Sequence, residues 1–111
     1  MTYCTISDVK ALWFPGKNWT AQEDNELSNL IDEVSSEIDS ILEKYATLPL
    51  QKSLADKLRY ICAEWVAGRF RLNRGHKDDE KDRPSVIAAH KRLLNFIEVY
   101  FKRSFEPIGS D

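Results

Sequence analysis

The stretch LADKLRYICAEWVAGRFRL, residues 54–72, decides the fold, because the other segments carry faces suited to packing against it. With residues placed about 100° apart around an ideal helix, two apolar groups fall on roughly opposite sides. One side holds Leu54, Leu58, Ile61, Cys62, Trp65 and Leu72, and the other holds Ala63, Ala67 and Phe70. A helix with two apolar faces needs two partners. We expect one partner to be the rest of the subunit and the other to be a second subunit.

The size of the chain predicts one domain spanning residues 1–111. A length of 111 residues gives room for one modest core, and 42% apolar with 31% charged residues is typical of a soluble globular protein. No apolar run approaches the roughly 20 residues that cross a bilayer, and no leader pattern precedes residue 11. These features predict a protein made in the cytoplasm, with no membrane partner.

Capping boxes mark the first two helices. A hydroxyl followed three residues later by a carboxylate occurs at Thr5 and again at Thr20, so we predict a short helix ending at Trp13 and a long one ending near Tyr45. Ser53 is the predicted cap of the central helix, and Pro84 suits the first turn of a last helix. The predicted core side of the last helix is Val86, Ala89, His90, Leu93, Leu94, Ile97, Tyr100 and Phe101. The fold class is all-α, a small antiparallel bundle of one short and three longer helices.

Charge is distributed unevenly along the chain. The net charge of −2 argues against a strongly basic nucleic-acid-binding domain. Segment 20–48 nevertheless has eight acidic residues against Lys44 alone, whereas the helix after Pro84 is basic. Between subunits related by rotation, the acidic element of one can meet the basic element of the next. The predicted subunit interface is Asp32, Asp39, Glu43, Ala63, Ala67, Arg69, Phe70, Lys91, Lys102 and Arg103.

Few residues suggest catalytic or metal chemistry. His76 lies in an acidic, wholly polar segment, 73–83, which we predict to be a mobile, solvated loop rather than a metal site because it lacks EF-hand spacing. We expect His90 to be a core histidine rather than a general base. Cys4 and Cys62 lack the paired spacing of a zinc site, and Cys62 fits a small core position. No nucleophile with its base and no phosphate-binding glycine loop is recognisable, so we predict neither an enzyme nor a cofactor.

An arginine cluster leaves a second interpretation open. Arg69, Arg71 and Arg74 surround Phe70 and could hold a phosphate backbone. Helical geometry, however, sends Arg69 and Arg71 to different sides, so for Arg69 we favour an ion pair with the acidic helix or a neighbouring subunit. The alternative function is a helical DNA-binding or DNA-packaging accessory protein using Arg69, Arg71, Arg74, Lys91 and Arg92. A small enzyme or ligand-binding bundle is the third class that stays open.

The order of these features resembles a known family. The opening TISDVKAL, the acidic helix LSNLIDEVSSEIDSILEKYATLPL and the helix LRYICAEWVAGRFRL, followed by a polar loop and a last amphipathic helix, are similar to the small head-to-tail connector proteins of tailed bacteriophages. These proteins are also called adaptor or head-completion proteins, and prophages carry them too. The resemblance covers roughly residues 3–104 and rests on the pattern and order of the elements.

The resemblance implies a structural α-helical protein without catalysis. Such subunits form a ring, dodecameric in the neck of the virion, beneath the portal protein. The ring extends the channel through which DNA passes without sequence-specific binding, and it offers a surface to the next neck or tail protein. Family members commonly grip the portal with a flexible loop and terminal segments, here 73–83 and the tail 104–111. The candidate portal-binding residues are Arg74, His76, Lys77, Lys81, Arg83, Phe105 and Ile108.

Overall fold

Most of the described part of the chain is helical. A computed structural model describes residues 2–12, 16–78 and 83–102, and these residues include no strand. The elements are α1 (Ile6–Leu12), α2 (Ala21–Leu42), α3 (Lys52–Lys57), α4 (Arg59–Asn73), α5 (Val86–Ile97) and a π-helix (Glu98–Lys102). The predicted all-α class is confirmed. Within the described ranges, no helix has the length and apolarity to cross a membrane.

Both predicted capping boxes are present. At the start of α2, the Glu23 N–H donates to Thr20 Oγ1 at 3.1 Å, and the Thr20 N–H donates to Glu23 Oε1 at the same distance. At the start of α1, the Thr5 N–H donates to Asp8 Oδ2 at 2.9 Å and the Asp8 N–H donates back to Thr5 Oγ1 at 3.3 Å. These reciprocal bonds satisfy backbone donors that the first turn of a helix leaves unpaired.

The central helix is divided at Leu58, which corrects the prediction of one continuous helix. Leu58 forms a turn in which its N–H donates to the Ala55 carbonyl at 3.0 Å, and its own carbonyl then accepts from the Cys62 N–H at 2.8 Å. Ser53 consequently lies inside α3 rather than capping α4. Neither Pro nor Gly stands at this break, so the local sequence contains no sign of it.

Helix α4 occupies the centre of the core. It packs against α1, α2 and α5, and the exposed fraction of the Trp65 side chain is only 2%. The prediction that Trp65 belongs to the core is therefore confirmed. Leu72, predicted on the same face, is exposed because it lies in the last turn of α4, at the edge of the core.

The second apolar face of α4 is covered by the chain itself. Ala63, Ala67 and Phe70 are all buried, and the Phe70 ring centroid lies 5.4 Å from that of Trp19, which precedes α2. The prediction that these three residues face another subunit is wrong, because α1 and the segment before α2 fold over that side of the helix. Gly68 shows how closely α4 is approached from another side: a Cβ there would lie 2.6 Å from the backbone nitrogen of Val86.

The last helix begins later and faces differently than predicted. Ser85 is its N-cap, and the Ser85 Oγ accepts from the Ala88 N–H at 3.2 Å, so Pro84 precedes the helix instead of entering its first turn. The buried side is Ala89, Leu93, Phe96, Ile97 and Phe101. His90 and Leu94 are exposed, since the buried face is rotated towards Phe96, and Tyr100 is only part-covered.

Part of the predicted mobile loop is held against α5. Asn73 still belongs to α4, and Gly75 adopts a positive φ of 83° in the turn that follows. The Asp78 carboxylate then accepts from the N–H groups of Val86 and Ile87 at 2.8 and 3.0 Å. Asp78 of the predicted loop is thus hydrogen-bonded to the start of α5, while 79–82 lie outside the described residues.

Candidate subunit interface

The outer side of α2 carries an exposed acidic face, formed by Asp32, Glu33, Glu37 and Glu43. Arg69 of α4 reaches this face, with its guanidinium 2.9 Å from the Glu37 carboxylate and 3.9 Å from that of Glu33. The predicted ion pair between Arg69 and the acidic helix therefore forms within the subunit. One arginine against four carboxylates leaves the acidic face with a net negative charge.

Asp39 serves a different purpose from the one predicted. The Tyr3 hydroxyl donates a hydrogen bond to the Asp39 carboxylate, and the Tyr3 N–H donates to Ser35 Oγ at 3.1 Å. Burial, followed by the hydrogen bond to Asp39, raises the pKa of the Tyr3 hydroxyl. Asp39 is half-buried and anchors the N-terminal segment, although it was predicted to contact a neighbouring subunit.

A basic groove runs between α3, α4 and α5. It is an open cleft of about 760 Å³ whose cations are Lys57, Lys91 and Arg92 and whose aromatic walls include Tyr60 and Tyr100. The Lys57 ammonium lies 5.7 Å from the centroid of the Tyr100 ring, and the Arg92 guanidinium lies 5.2 Å from that of Tyr60. Cations placed over aromatic rings give the groove both positive charge and flat apolar surface.

A buried carboxylate neutralises one of the groove's cations. Arg92 donates to the Glu64 carboxylate, and only 5% of Glu64 is exposed. Burial raises the pKa of Glu64, whereas the hydrogen bond from Arg92 opposes that rise. The burial of Glu64 beneath α5 leaves Lys57 and Lys91 as the main positive charges of the groove.

An exposed apolar stripe adjoins the groove on α5. Ile87 and Leu94 are 51% and 63% exposed, and Lys91 lies between them at helical spacing on the same side. Tyr60, at the groove wall, is 49% exposed. This surface combines apolar contact area with positive charge, which is the composition expected of a protein-binding patch.

Sequence reasoning identified only part of this surface. It selected Lys91 from the basic helix but missed Lys57, Tyr60 and the Leu94 stripe, since no local pattern indicates that α3 and α4 would wall a cleft with α5. The backbone of Lys102 lies in the π-helix, and its side chain falls outside the described part of the structure. Arg103, Lys81, Phe105 and Ile108 fall outside the described residues.

The predicted portal-binding residues divide into two groups. Arg74 is engaged inside the subunit, since its guanidinium bonds the Glu26 carboxylate at 2.7 and 3.0 Å and lies 3.7 Å from the centroid of the Phe70 ring. This hydrogen bond lowers the pKa of Glu26. His76, Lys77 and Arg83 are exposed on the segment that joins α4 to α5.

The arginines proposed as a phosphate-binding cluster are separated by the fold. Arg71 is 1% exposed, and its Nη1 donates to the Pro84 carbonyl at 2.5 Å. Arg69 and Arg74 bind carboxylates of α2. The burial of Arg71 removes it from any surface that DNA can reach.

The described residues contain no group of three side chains suited to holding a metal ion. His90, predicted in the core, is exposed, and its ring meets Trp65 edge-on with 4.3 Å between the centroids. Comparison with known proteins assigns no family: no family model, curated protein or solved structure matches the chain. The candidate functional features of the described residues are therefore the acidic face of α2 and the basic groove beside α5.

Proposed function

We propose that this chain is a structural head-to-tail connector subunit of a tailed bacteriophage or prophage. It forms a ring beneath the portal, extends the DNA channel and docks the next neck or tail protein. The observation that carries the proposal is the presence of complementary charged surfaces, the acidic face of α2 and the basic groove beside α5, on one small helical subunit without a recognisable active site in its described parts.

Complementary surfaces on different elements favour a head-to-tail contact. Within the subunit, Arg69 forms an ion pair with the acidic face, and Glu64 forms one with Arg92 of the groove. Each surface nevertheless retains exposed charge. Lys57 and Lys91 of one subunit can then face Asp32 and Glu43 of the next. A heterologous contact of this kind forms a closed ring when the rotation that relates neighbouring subunits is a full turn divided by a whole number.

Apolar contact supplies most of the affinity in this arrangement. Exposed ion pairs contribute only about 0–1 kcal/mol each, so they set orientation and partner choice. Because Phe70 is buried inside the subunit, the apolar contribution comes instead from Ile87, Leu94 and the Tyr60 wall of the groove. His76, Lys77 and Arg83 remain the described candidates for contact with the portal.

The apolar stripe gives the sharper test. Leu94→Glu is expected to abolish assembly, because it places a charge in the centre of the contact, while Leu72→Glu makes the same change at an exposed leucine in the last turn of α4. Sedimentation at high protein concentration, alone and with portal protein, measures both. A wild-type chain that stays monomeric under both conditions, or a Leu94→Glu variant that assembles normally, would contradict the proposal.

Charge reversal tests the direction of the contact. Lys91→Glu is expected to weaken assembly, and Glu43→Lys in the same chain is expected to restore part of it. Asp39 is unsuitable for this purpose, because its reversal would also break the bond from Tyr3. Equal assembly by the single and double variants would argue against pairing of these two surfaces.

The DNA-binding alternative has less support. Four of its five residues have partners within the chain: Arg69, Arg74 and Arg92 bind carboxylates, and Arg71 is buried against Pro84. Lys91 is the one residue of that set that is exposed and whose side chain has no carboxylate or carbonyl partner among the described residues. Tight, salt-dependent binding of duplex DNA by the purified chain would favour the alternative.

A further inference from the structure

The two cysteines of the chain meet in the core although 58 positions separate them. Cys4 belongs to the segment before α1 and Cys62 to the first turns of α4, and both are free thiols. Their sulfur atoms lie 3.1 Å apart. A disulfide bond joins sulfur atoms about 2 Å apart, so a small shift of the N-terminal segment would bring the pair to bonding distance.

The neighbours of Cys4 hold it in this position. On one side, Tyr3 is fixed to α2 through Ser35 and Asp39. On the other side, Thr5 caps α1 through Asp8. The meeting of the two sulfurs is therefore specified by hydrogen bonds on both sides of Cys4 and does not depend on the thiols alone.

The two thiols are chemically unequal. The Cys4 thiol donates a hydrogen bond to Cys62 Sγ, which lowers the pKa of Cys62 and raises that of Cys4. Ser35 Oγ also lies 3.7 Å from Cys62 Sγ. Because the thiolate is the reactive form, Cys62 is the better nucleophile of the pair.

We propose that Cys4 and Cys62 form a reversible redox site, in which a peroxide converts the pair to an intramolecular disulfide that fastens the N-terminal segment to α4. This inference stands on the position of the two thiols and does not depend on the proposed assembly. Since Cys62 is 0% exposed and Cys4 is 5% exposed, only a small oxidant can reach them, during brief opening of the N-terminal segment.

The reaction balances with hydrogen peroxide as the oxidant. The Cys62 thiolate attacks one peroxide oxygen, an S–O bond forms, the O–O bond breaks, and the departing hydroxide takes up the proton lost by Cys62 to become water. The Cys4 thiolate then attacks the sulfenic sulfur of Cys62, forming the S–S bond and breaking the S–O bond. The second hydroxide takes the proton from Cys4. The thiols lose two electrons, and the peroxide becomes two waters.

Closure of this long loop constrains the unfolded chain more than the folded one. The oxidised protein is therefore expected to melt about 10 °C or more above the reduced protein, and dithiothreitol is expected to reverse the shift. The N-terminal segment should also become more resistant to proteolysis, because it can no longer detach from α4 without breaking the bond.

The full chain, purified under reducing conditions, is treated with hydrogen peroxide and followed by intact mass, peptide mapping without reductant, and thermal unfolding. We expect a monomer that has lost two hydrogen atoms, a Cys4–Cys62 cross-linked peptide and the higher melting temperature. The matched control, Cys4→Ala, keeps Cys62 but cannot form the bond, so it should show no rise in melting temperature.

Three outcomes would overturn the inference. One is retention of both thiols by the folded wild type under conditions that oxidise the unfolded chain. Another is oxidation that yields only cross-linked dimers or oxygen adducts of the monomer. The third is a Cys4–Cys62 disulfide that leaves the melting temperature and the proteolysis of the N-terminal segment unchanged.

Discussion

Helices α2 and α4 both carry charged residues among apolar ones, yet they bury different parts of their sequence. Helix α2 buries one stripe and exposes Asp32 and Glu33, whereas α4 buries every residue from 61 to 68 and also Arg71. The reason is position: α2 lies at the outside of the core, and α4 has α1, α2 and α5 packed around it. Helical periodicity therefore predicts burial well for a helix covered on one side and poorly for a helix that is surrounded.

The largest effect is expected at the centre of α4. Trp65→Ala should lower the free energy of unfolding by about 3–5 kcal/mol, because it removes a large buried aromatic side chain. Tyr60→Ala, on the same helix but half-exposed, should cost less than about 1 kcal/mol. Urea unfolding of the two variants measures the difference. Equal losses would mean that α4 is not surrounded as described.

One charge reversal separates the two helices directly. Glu64→Lys puts a second cation beside Arg92 in a buried position, so we expect a loss of about 3 kcal/mol or more. Asp32→Lys on the exposed face of α2 should change the free energy of unfolding by less than about 0.5 kcal/mol. Thermal and urea unfolding provide the measurement, and a well-tolerated Glu64→Lys would show that Glu64 is accessible to water.

Substitution by alanine should have different effects in the two helices. Gly68→Ala brings a Cβ within 2.6 Å of backbone at the start of α5, so we expect a loss of about 1–3 kcal/mol despite the better helix propensity of alanine. Ser36→Ala, exposed on α2, should be neutral or stabilise slightly through that propensity. Stabilisation by Gly68→Ala would mean that α4 and α5 are further apart.

The smallest effect is a difference in pH dependence between the two helices. Burial raises the pKa of Glu64 in α4 of the folded protein above the pKa of a glutamate in the unfolded chain, which is about 4.3. The contribution of Glu64 to the free energy of unfolding therefore falls as the pH rises from about 4.3 through the pKa of Glu64 in the folded protein. The hydrogen bond from Arg74 lowers the pKa of Glu26 in α2. The contribution of Glu26 to the free energy of unfolding is therefore present above about pH 4.3 and is lost as the pH falls through the pKa of Glu26 in the folded protein.

Melting temperatures between about pH 3 and pH 7 check this difference. Relative to Glu64→Gln, the wild type should become less stable towards neutral pH. Relative to Glu26→Gln, it should become more stable over the same range, and the gap should close in acid. Parallel curves for the wild type and both glutamine variants would contradict the opposite shifts.

Several features of this protein follow from the sequence alone. Each capping box, at Thr5 and Thr20, acts over three residues, and the stripe of α2 repeats within two turns, so local sequence is sufficient for both. The burial of Trp65 and the opposed charges of α2 and α5 were also predictable. These features predict the all-α class and part of the candidate interface, namely the acidic face of α2 and the position of Lys91 on the basic helix.

Only the tertiary structure decided what covers α4. Several features depend on residues that are distant in the chain. They are the turn at Leu58, the burial of Glu64 and Arg71, the cover over Phe70, the groove wall at Tyr60 and the meeting of Cys4 with Cys62. A helical pattern records which residues share a side of one helix, but it does not record how many neighbouring elements pack around that helix. The burial of α4 on every side therefore results from the packing of α1, α2 and α5 around it, and the groove beside α5 results from the same packing.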